Sequence, residues 1–178
     1  RFSFIRSEQR RLGGTAYVCK ARDLTNDNEV AVKIFEGDIS DPMTRKIYET
    51  DVNSLRSLNH ENIVKYVHHG VNSKGQPYLV TEWIENTLKE HLEKQPDEKV
   101  TWREAFRTIG LPLVEALAYA HSLKPTPIEH RDISLRNVML KNGTSPVLID
   151  FGIGKAHEDS KSEMTTVDWA SPLYSPPW

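Results

Sequence analysis

The sequence predicts an α+β architecture in two successive parts, a small antiparallel β lobe and then the first part of a helical lobe. Three observations predict it. Short runs of strand-forming residues crowd the first half of the chain. A capped amphipathic segment begins at Thr101. Two further short strands then frame a cluster of charged and amide side chains between positions 130 and 152.

The strands come first. Residues 15–20 and 29–35 are short and rich in valine, isoleucine, tyrosine and alanine, and the cluster 23–28 between them is rich in turn formers. Segments 63–67 and 77–83 have the same character, and Ser73-Lys74-Gly75-Gln76 predicts the hairpin turn between them. Residues 44–58 instead carry Ile47, Val52, Leu55 and Leu58 at helical spacing. In the second part, Thr101 followed by Glu104 is the signature of a capping box. The helix it starts runs to Ser122 on an apolar stripe of Phe106, Ile109, Leu113, Leu117 and Ala120. Gly110 and Pro112 interrupt it and predict a kink or a late start. Residues 137–140 and 147–149 are short strands around the turn 141–146, and beyond Gly152 the chain is polar and loop-like.

Composition narrows the function. The chain has 178 residues, 38% hydrophobic and 27% charged, enough for a packed core and against global disorder. A formal net charge of -2 gives no reason to expect nucleic acid or an anionic membrane as the main partner. Cys19 is the single cysteine, so no internal disulfide exists and a reducing, cytoplasmic setting is expected. No apolar run has the length of a membrane span. The basic start, residues 1–11, lacks the apolar stretch of a signal peptide.

The chemistry concentrates in His130-Arg131-Asp132-Ile133-Ser134-Leu135-Arg136-Asn137, followed by Asp150-Phe151-Gly152. A carboxylate that takes a hydroxyl proton, and hard oxygens that hold Mg²⁺ against phosphates, are what phosphoryl transfer from ATP requires. Asp132 suits the first role, and Asn137 and Asp150 the second. Each tripeptide alone is a weak signal. Their order, with Asn137 five residues after Asp132 and strands following, makes chance coincidence improbable.

On these residues the chain resembles the eukaryotic-type protein kinases, from its first strand to the end of the activation segment. The resemblance implies a two-lobed protein-kinase-like fold, truncated here: an N-lobe over about 1–82, a hinge near 82–86, and the first part of the C-lobe over 87–178. Val30-Ala31-Val32-Lys33 is similar to the strand whose lysine holds the α- and β-phosphates. Taken alone, Lys33 reads as a surface lysine on an edge strand; its context reverses that. Leu79-Val80-Thr81-Glu82-Trp83-Ile84 resembles the hinge, with Thr81 at the gatekeeper position and Glu82, Trp83 and Ile84 beside adenine. Val18, Ala31 and Met139 fall around the base. Leu55, Tyr66, His130 and Phe151 fall where the family stacks its regulatory spine.

Several positions depart from the family. Of the three loop glycines only Gly13 is in register; Arg11 and Ala16 occupy the others, with Gly14 adding backbone freedom. Asp51 stands where the family has the glutamate that faces the lysine, one methylene shorter. Ser134 replaces a lysine usual in serine/threonine kinases, and Arg136 precedes the asparagine, as in tyrosine kinases. Ala170-Ser171-Pro172 resembles the serine/threonine pattern. The implied activity is ATP- and Mg²⁺-dependent transfer to serine or threonine hydroxyls of a protein substrate, with autophosphorylation at Ser160, Ser162, Thr165 or Thr166. The alternative is a pseudokinase that binds nucleotide or a partner without turnover.

Overall fold

A computed structural model describes residues 1–12, 16–94 and 100–151, with residues 6–12 as backbone. The chain divides into two compact units, Arg1–Ser57 with Lys65–Trp83, and Leu58–Val64 with the residues from Ile84 onward.

The first unit is built on a five-stranded antiparallel sheet. Its strands are β1 (Phe2–Leu12), β2 (Ala16–Asp23), β3 (Asn28–Phe35), β4 (Tyr66–Val71) and β5 (Pro77–Glu82), in the order β1-β2-β3-β5-β4. The β2–β3 turn is closed by amides of Asn26 and Asp27 donating to the Asp23 carbonyl, at 3.3 and 2.8 Å. The Asp23 carboxylate takes Thr25 N–H and O–H and the Arg1 guanidinium, and the arginine holds it well below the usual carboxylate range. At the β4–β5 turn Gly75 has φ +78°, a conformation that favours glycine. A Cβ there would lie 1.9 Å from an Asp38 oxygen.

Alternation along the strands decides which face is core. Ala21, Val30, Val32, Ile34 and Val80 are buried together, with Phe2, Tyr17, Val67 and Tyr78 packed around them. Helix α1 (Pro42–Ser57) buries Ile47, Tyr48, Asp51, Val52 and Leu55, a stripe with helical period, and sets Tyr48 edge-on against Phe35 at 5.7 Å.

The second unit carries a three-stranded antiparallel sheet, β6 (Asn86–Thr87), β7 (Val138–Lys141) and β8 (Ser145–Leu148). Helix α2 (Leu88–Lys94) follows β6. Then come α3 (Trp102–Ala105), a π-helical turn (Phe106–Gly110) and α4 (Leu111–Ser122). The Thr101–Glu104 capping box forms as the sequence predicts. The interruption takes the form of the π turn, where Leu111 N–H donates to the Phe106 carbonyl. Pro112 has no N–H for the regular ladder, and a widened turn accommodates it. Ala116 and Ala120 are fully buried and let α4 approach β8 closely, while Trp102, Phe106, Leu111 and Val114 are exposed. Among the described residues no helix is long and apolar enough to cross a membrane.

One expectation needs correction, and two elements carry no expectation from the sequence. The strand expected at 63–67 forms instead as β4, and Ile63 makes only an isolated parallel bridge to Leu148. The reason is that Asn62–Val64 bonds to another partner: Val64 N–H donates to the Leu148 carbonyl (2.9 Å), Leu148 N–H to that of Asn62 (2.8 Å), and the Asn62 amide to that of Pro146 (2.7 Å). Strand β1 was not anticipated, because its polar middle lacks an apolar alternation; at the sheet's edge it needs little of one. Helix α2 was missed although its signal is present. Thr87 and Glu90 cap each other reciprocally, at 2.9 and 3.0 Å, in the same Thr-x-x-Glu pattern as residue 101.

Val80 has no exposed surface and sits at the centre of the first unit's core. Val80→Ala should destabilise the protein by about 2 kcal/mol through lost transfer energy and a residual cavity. Val71→Ala, at an exposed edge, should stay within about 0.5 kcal/mol. Urea unfolding of both variants checks this; equal midpoints would contradict the assignment of the core face.

Candidate functional site

Each unit gathers part of the sequence-predicted set. In the first, the strand register does the gathering. Val18 lies opposite Lys33, Ala31 opposite Thr81, and Lys33 opposite Leu79. Directly paired residues share a face, so Val18, Ala31, Lys33 and Thr81 lie together on the side away from the valine core. Lys33 Nζ donates to Asp51 Oδ2 at 2.9 Å. The two side chains are 12% and 2% exposed, so this is a desolvated ion pair, and removing one partner of such a pair typically costs about 3–5 kcal/mol. The shorter aspartate reaches the lysine directly, because Asp51 lies on the buried stripe of α1. Lys33 Nζ also lies 5.4 Å from the Phe35 ring centroid.

At the end of β5, Glu82 is tied down twice. Its N–H donates to the Lys65 carbonyl and its carboxylate accepts from Lys65 N–H, both at 3.0 Å. Trp83 follows, half-buried, with its ring beneath the Lys20 ammonium. Of the residues expected on the regulatory spine, Leu55 is buried on α1, and the Tyr66 hydroxyl is hydrogen-bonded to His69 Nδ1 at 2.5 Å.

In the second unit the loop 130–137 is organised around a buried histidine. His130 is 1% exposed. Its Nε2–H donates to the Ile149 carbonyl at 2.7 Å, and the Asp132 N–H donates to its Nδ1 at 3.3 Å. One neutral tautomer satisfies both bonds. Burial pushes the imidazole below its ordinary range, outweighing the Ile149 bond and the charges of Asp150 and Asp132, which act the other way. The ring meets Phe151 edge-on at 4.6 Å, and Phe151 is fully buried. Asn137, 7% exposed, donates through Nδ2 to both the carbonyl (2.8 Å) and the carboxylate Oδ2 (2.7 Å) of Asp132. Ile149 N–H donates to the Asn137 carbonyl, which ties the residue after β8 to the loop just before Asp150.

Arg131 and Asp150 hold left-handed φ values of +64° and +61°. Non-glycine residues adopt these at a cost of about 1 kcal/mol or more, and they persist where the surroundings enforce them. Arg131 Nε donates to Glu129 Oε2 at 2.9 Å, a contact the motif reading did not foresee. Its signal was an acidic residue two positions before the arginine. Met139 is buried on β7, opposite Thr87 and Val147, and Ile84 is buried. Gly13, Gly14 and the hydroxyls Ser160, Ser162, Thr165 and Thr166 lie outside the described residues.

A family model described as "Protein kinase domain" matches residues 9–177. The chain is similar to wall-associated receptor kinase-like 14 of Arabidopsis thaliana, 31% identical over 173 residues, which cover 96% of this chain and 24% of that protein. It is 33% identical over 157 residues to a probable serine/threonine-protein kinase of Streptomyces coelicolor, covering 86% of this chain and 23% of that protein. It is 30% identical over 165 residues to a putative mitogen-activated protein kinase kinase kinase 7-like protein of Drosophila melanogaster, covering 92% and 41%. The chain thus spans about a quarter of the length of the first two relatives.

The buried histidine gives a pH dependence with a definite sign. Its folded pKa is depressed, so the unfolded chain binds the extra proton first. The stability it contributes is complete above the unfolded value, about 6.5, and is lost as pH falls from there toward the folded value. Denaturation midpoints between pH 7.5 and 5.5 should therefore drop in the wild type. In His130→Phe, which keeps an aromatic ring against Phe151, they should start lower and drop less. Parallel slopes in the two proteins would show that His130 does not carry the effect.

Proposed function

Because the chain belongs to the protein kinase family, we propose that it transfers the γ-phosphate of ATP, bound with Mg²⁺, to a serine or threonine hydroxyl of a protein. The observation that carries this reading is the doubly anchored Asp132–Asn137 pair. It presents a carboxylate and a hard amide oxygen from one rigid loop, as proton acceptance and metal binding require. Asn137 holds Oδ2 of Asp132, and acceptance of the hydroxyl proton falls to Oδ1.

The donor set suits Mg²⁺. With Nδ2 of Asn137 committed to Asp132, the amide offers its carbonyl oxygen, and Asp150 adds a carboxylate; hard oxygens are what this cation takes. When bound, Mg²⁺ neutralises charge on the phosphate oxygens. Lys33, held by Asp51, binds the α- and β-phosphates. For the base, the first unit offers Val18, Ala31, Glu82 and Trp83, with Thr81 at the gatekeeper position, and the second offers Ile84 and Met139.

Specificity for serine and threonine is supported by the printed names of similar proteins such as that of Streptomyces coelicolor. Arg136 supplies the positive charge that a lysine at position 134 would otherwise bring to the transferred phosphoryl. Autophosphorylation on Ser160, Ser162, Thr165 or Thr166 belongs to this reading. A phosphate carries about -1.5 to -2 charges and competes with Glu129 for Arg131.

The test is incubation of the full-length protein with γ-labelled ATP, Mg²⁺ and a generic protein acceptor, followed by phosphoamino-acid analysis. Phosphoserine or phosphothreonine is expected. Asp132→Asn should lower transfer by about 10²-fold or more with nucleotide binding retained. Asp150→Asn should weaken Mg²⁺-dependent nucleotide binding as well. Phosphotyrosine alone would overturn the specificity, and nucleotide binding with no label at all would identify a pseudokinase.

A further inference from the structure

Lys20 stands on the same sheet face as the residues proposed to enclose the nucleotide, two positions beyond Val18 along β2 and directly opposite Ala31. Its Nζ lies 5.0 Å from the centroid of the Trp83 ring and 3.2 Å from Glu29 Oε1. The Lys20 side chain is 11% exposed. A lysine normally keeps its ammonium in water with only the stem against apolar surface. Here the charged end is drawn in as well, between an indole face and a carboxylate. A cation over an indole gains strength as water is excluded from it.

The position of Trp83 gives this contact its consequence. The ladder between β3 and β5 ends at the pair Val30–Glu82. Beyond Glu82 the chain leaves the sheet, and the Trp83 ring meets the Lys20 ammonium. Glu29 lies beside Val30 on β3 and diagonal to Lys20, so the ammonium is anchored to the rigid sheet while its other side holds the ring.

We propose that Lys20 is a positioning residue for nucleotide binding: its ammonium, fixed by Glu29, pins the Trp83 ring and thereby the backbone of residues 82 and 83 that receives the adenine edge. The proposal rests on the reading of 82–84 as the adenine-binding segment. Lys20 touches neither the phosphates nor the hydroxyl. Its loss weakens ground state and transition state alike, which raises KM and leaves kcat unchanged.

The experiment uses the full-length protein with Lys20→Met, Lys20→Arg, Trp83→Leu and the double variant Lys20→Met/Trp83→Leu. Binding of ATP with Mg²⁺ is measured by calorimetric titration, and transfer by steady-state kinetics. Methionine keeps the apolar stem and removes only the charge. Lys20→Met should weaken ATP binding about three- to tenfold with kcat unchanged. Lys20→Arg, which preserves both the cation over the ring and the ion pair, should remain within about twofold of wild type. In the Trp83→Leu background Lys20→Met should add nothing. Wild-type affinity in Lys20→Met, or the same penalty with and without Trp83, would overturn the inference and leave the kinase reading standing. Failure of the wild type itself to bind ATP would overturn both.

Discussion

Along β3 one constraint governs the first unit: Val30, Val32 and Ile34 must all face the core, so Ala31 and Lys33 must face the other way. A slip of one residue would set Lys33 into the apolar cluster and take the valines out of it, and that packing forbids it. The same alternation, carried across β2 and β5 by antiparallel pairing, sets Val18, Lys20 and Thr81 in relation to Lys33. Residues far apart in sequence thus reach one surface through hydrophobic burial.

The second unit solves a different problem. Its candidate site residues sit on a loop, where alternation gives no guidance, and buried polar bonds take its place. His130 spends one nitrogen on Ile149 and the other on Asp132, and Asn137 spends its amide on Asp132 twice. Burial makes each bond costly to lose, since an unpaired polar group inside a protein is penalised more than a paired one is rewarded. The left-handed backbone at Arg131 and Asp150 is held in place by this network. The histidine's depressed pKa is a by-product of the same burial, and it ties the integrity of the loop to pH.

Ion pairs divide by environment in this protein. Lys33–Asp51 and Lys20–Glu29 involve nearly buried lysines, whereas Arg22–Asp27 and Lys89–Glu93 lie in solvent. Exposed pairs contribute about 0–1 kcal/mol at most. The desolvated Lys33–Asp51 pair carries positional information, because a buried charge tolerates few geometries. Arg131–Glu129 is intermediate, with an arginine 30% exposed, which suits a contact that a phosphate is proposed to contest.

Membership of the protein kinase family was legible in the sequence, because its motifs fix residue types at short spacings: Asp132 to Asn137, and Asp150 with Phe151. Helix α1 and strands β2, β3 and β5 were legible through their period, and Thr101–Glu104 through capping chemistry. Strand β1 was not, since an edge strand can be polar and takes its bonds from a neighbour rather than from its own pattern. Nor was the fate of Ile63 and Val64, whose β character was satisfied by Leu148, more than eighty residues away. Whether the shorter Asp51 reaches Lys33, whether Arg131 is engaged, and what Lys20 does with its charge depend on distances between segments. Sequence spacing determines only which residues are neighbours along the chain; packing decided that Asp51 closes to 2.9 Å, that Glu129 takes Arg131, and that Lys20 turns inward to Trp83.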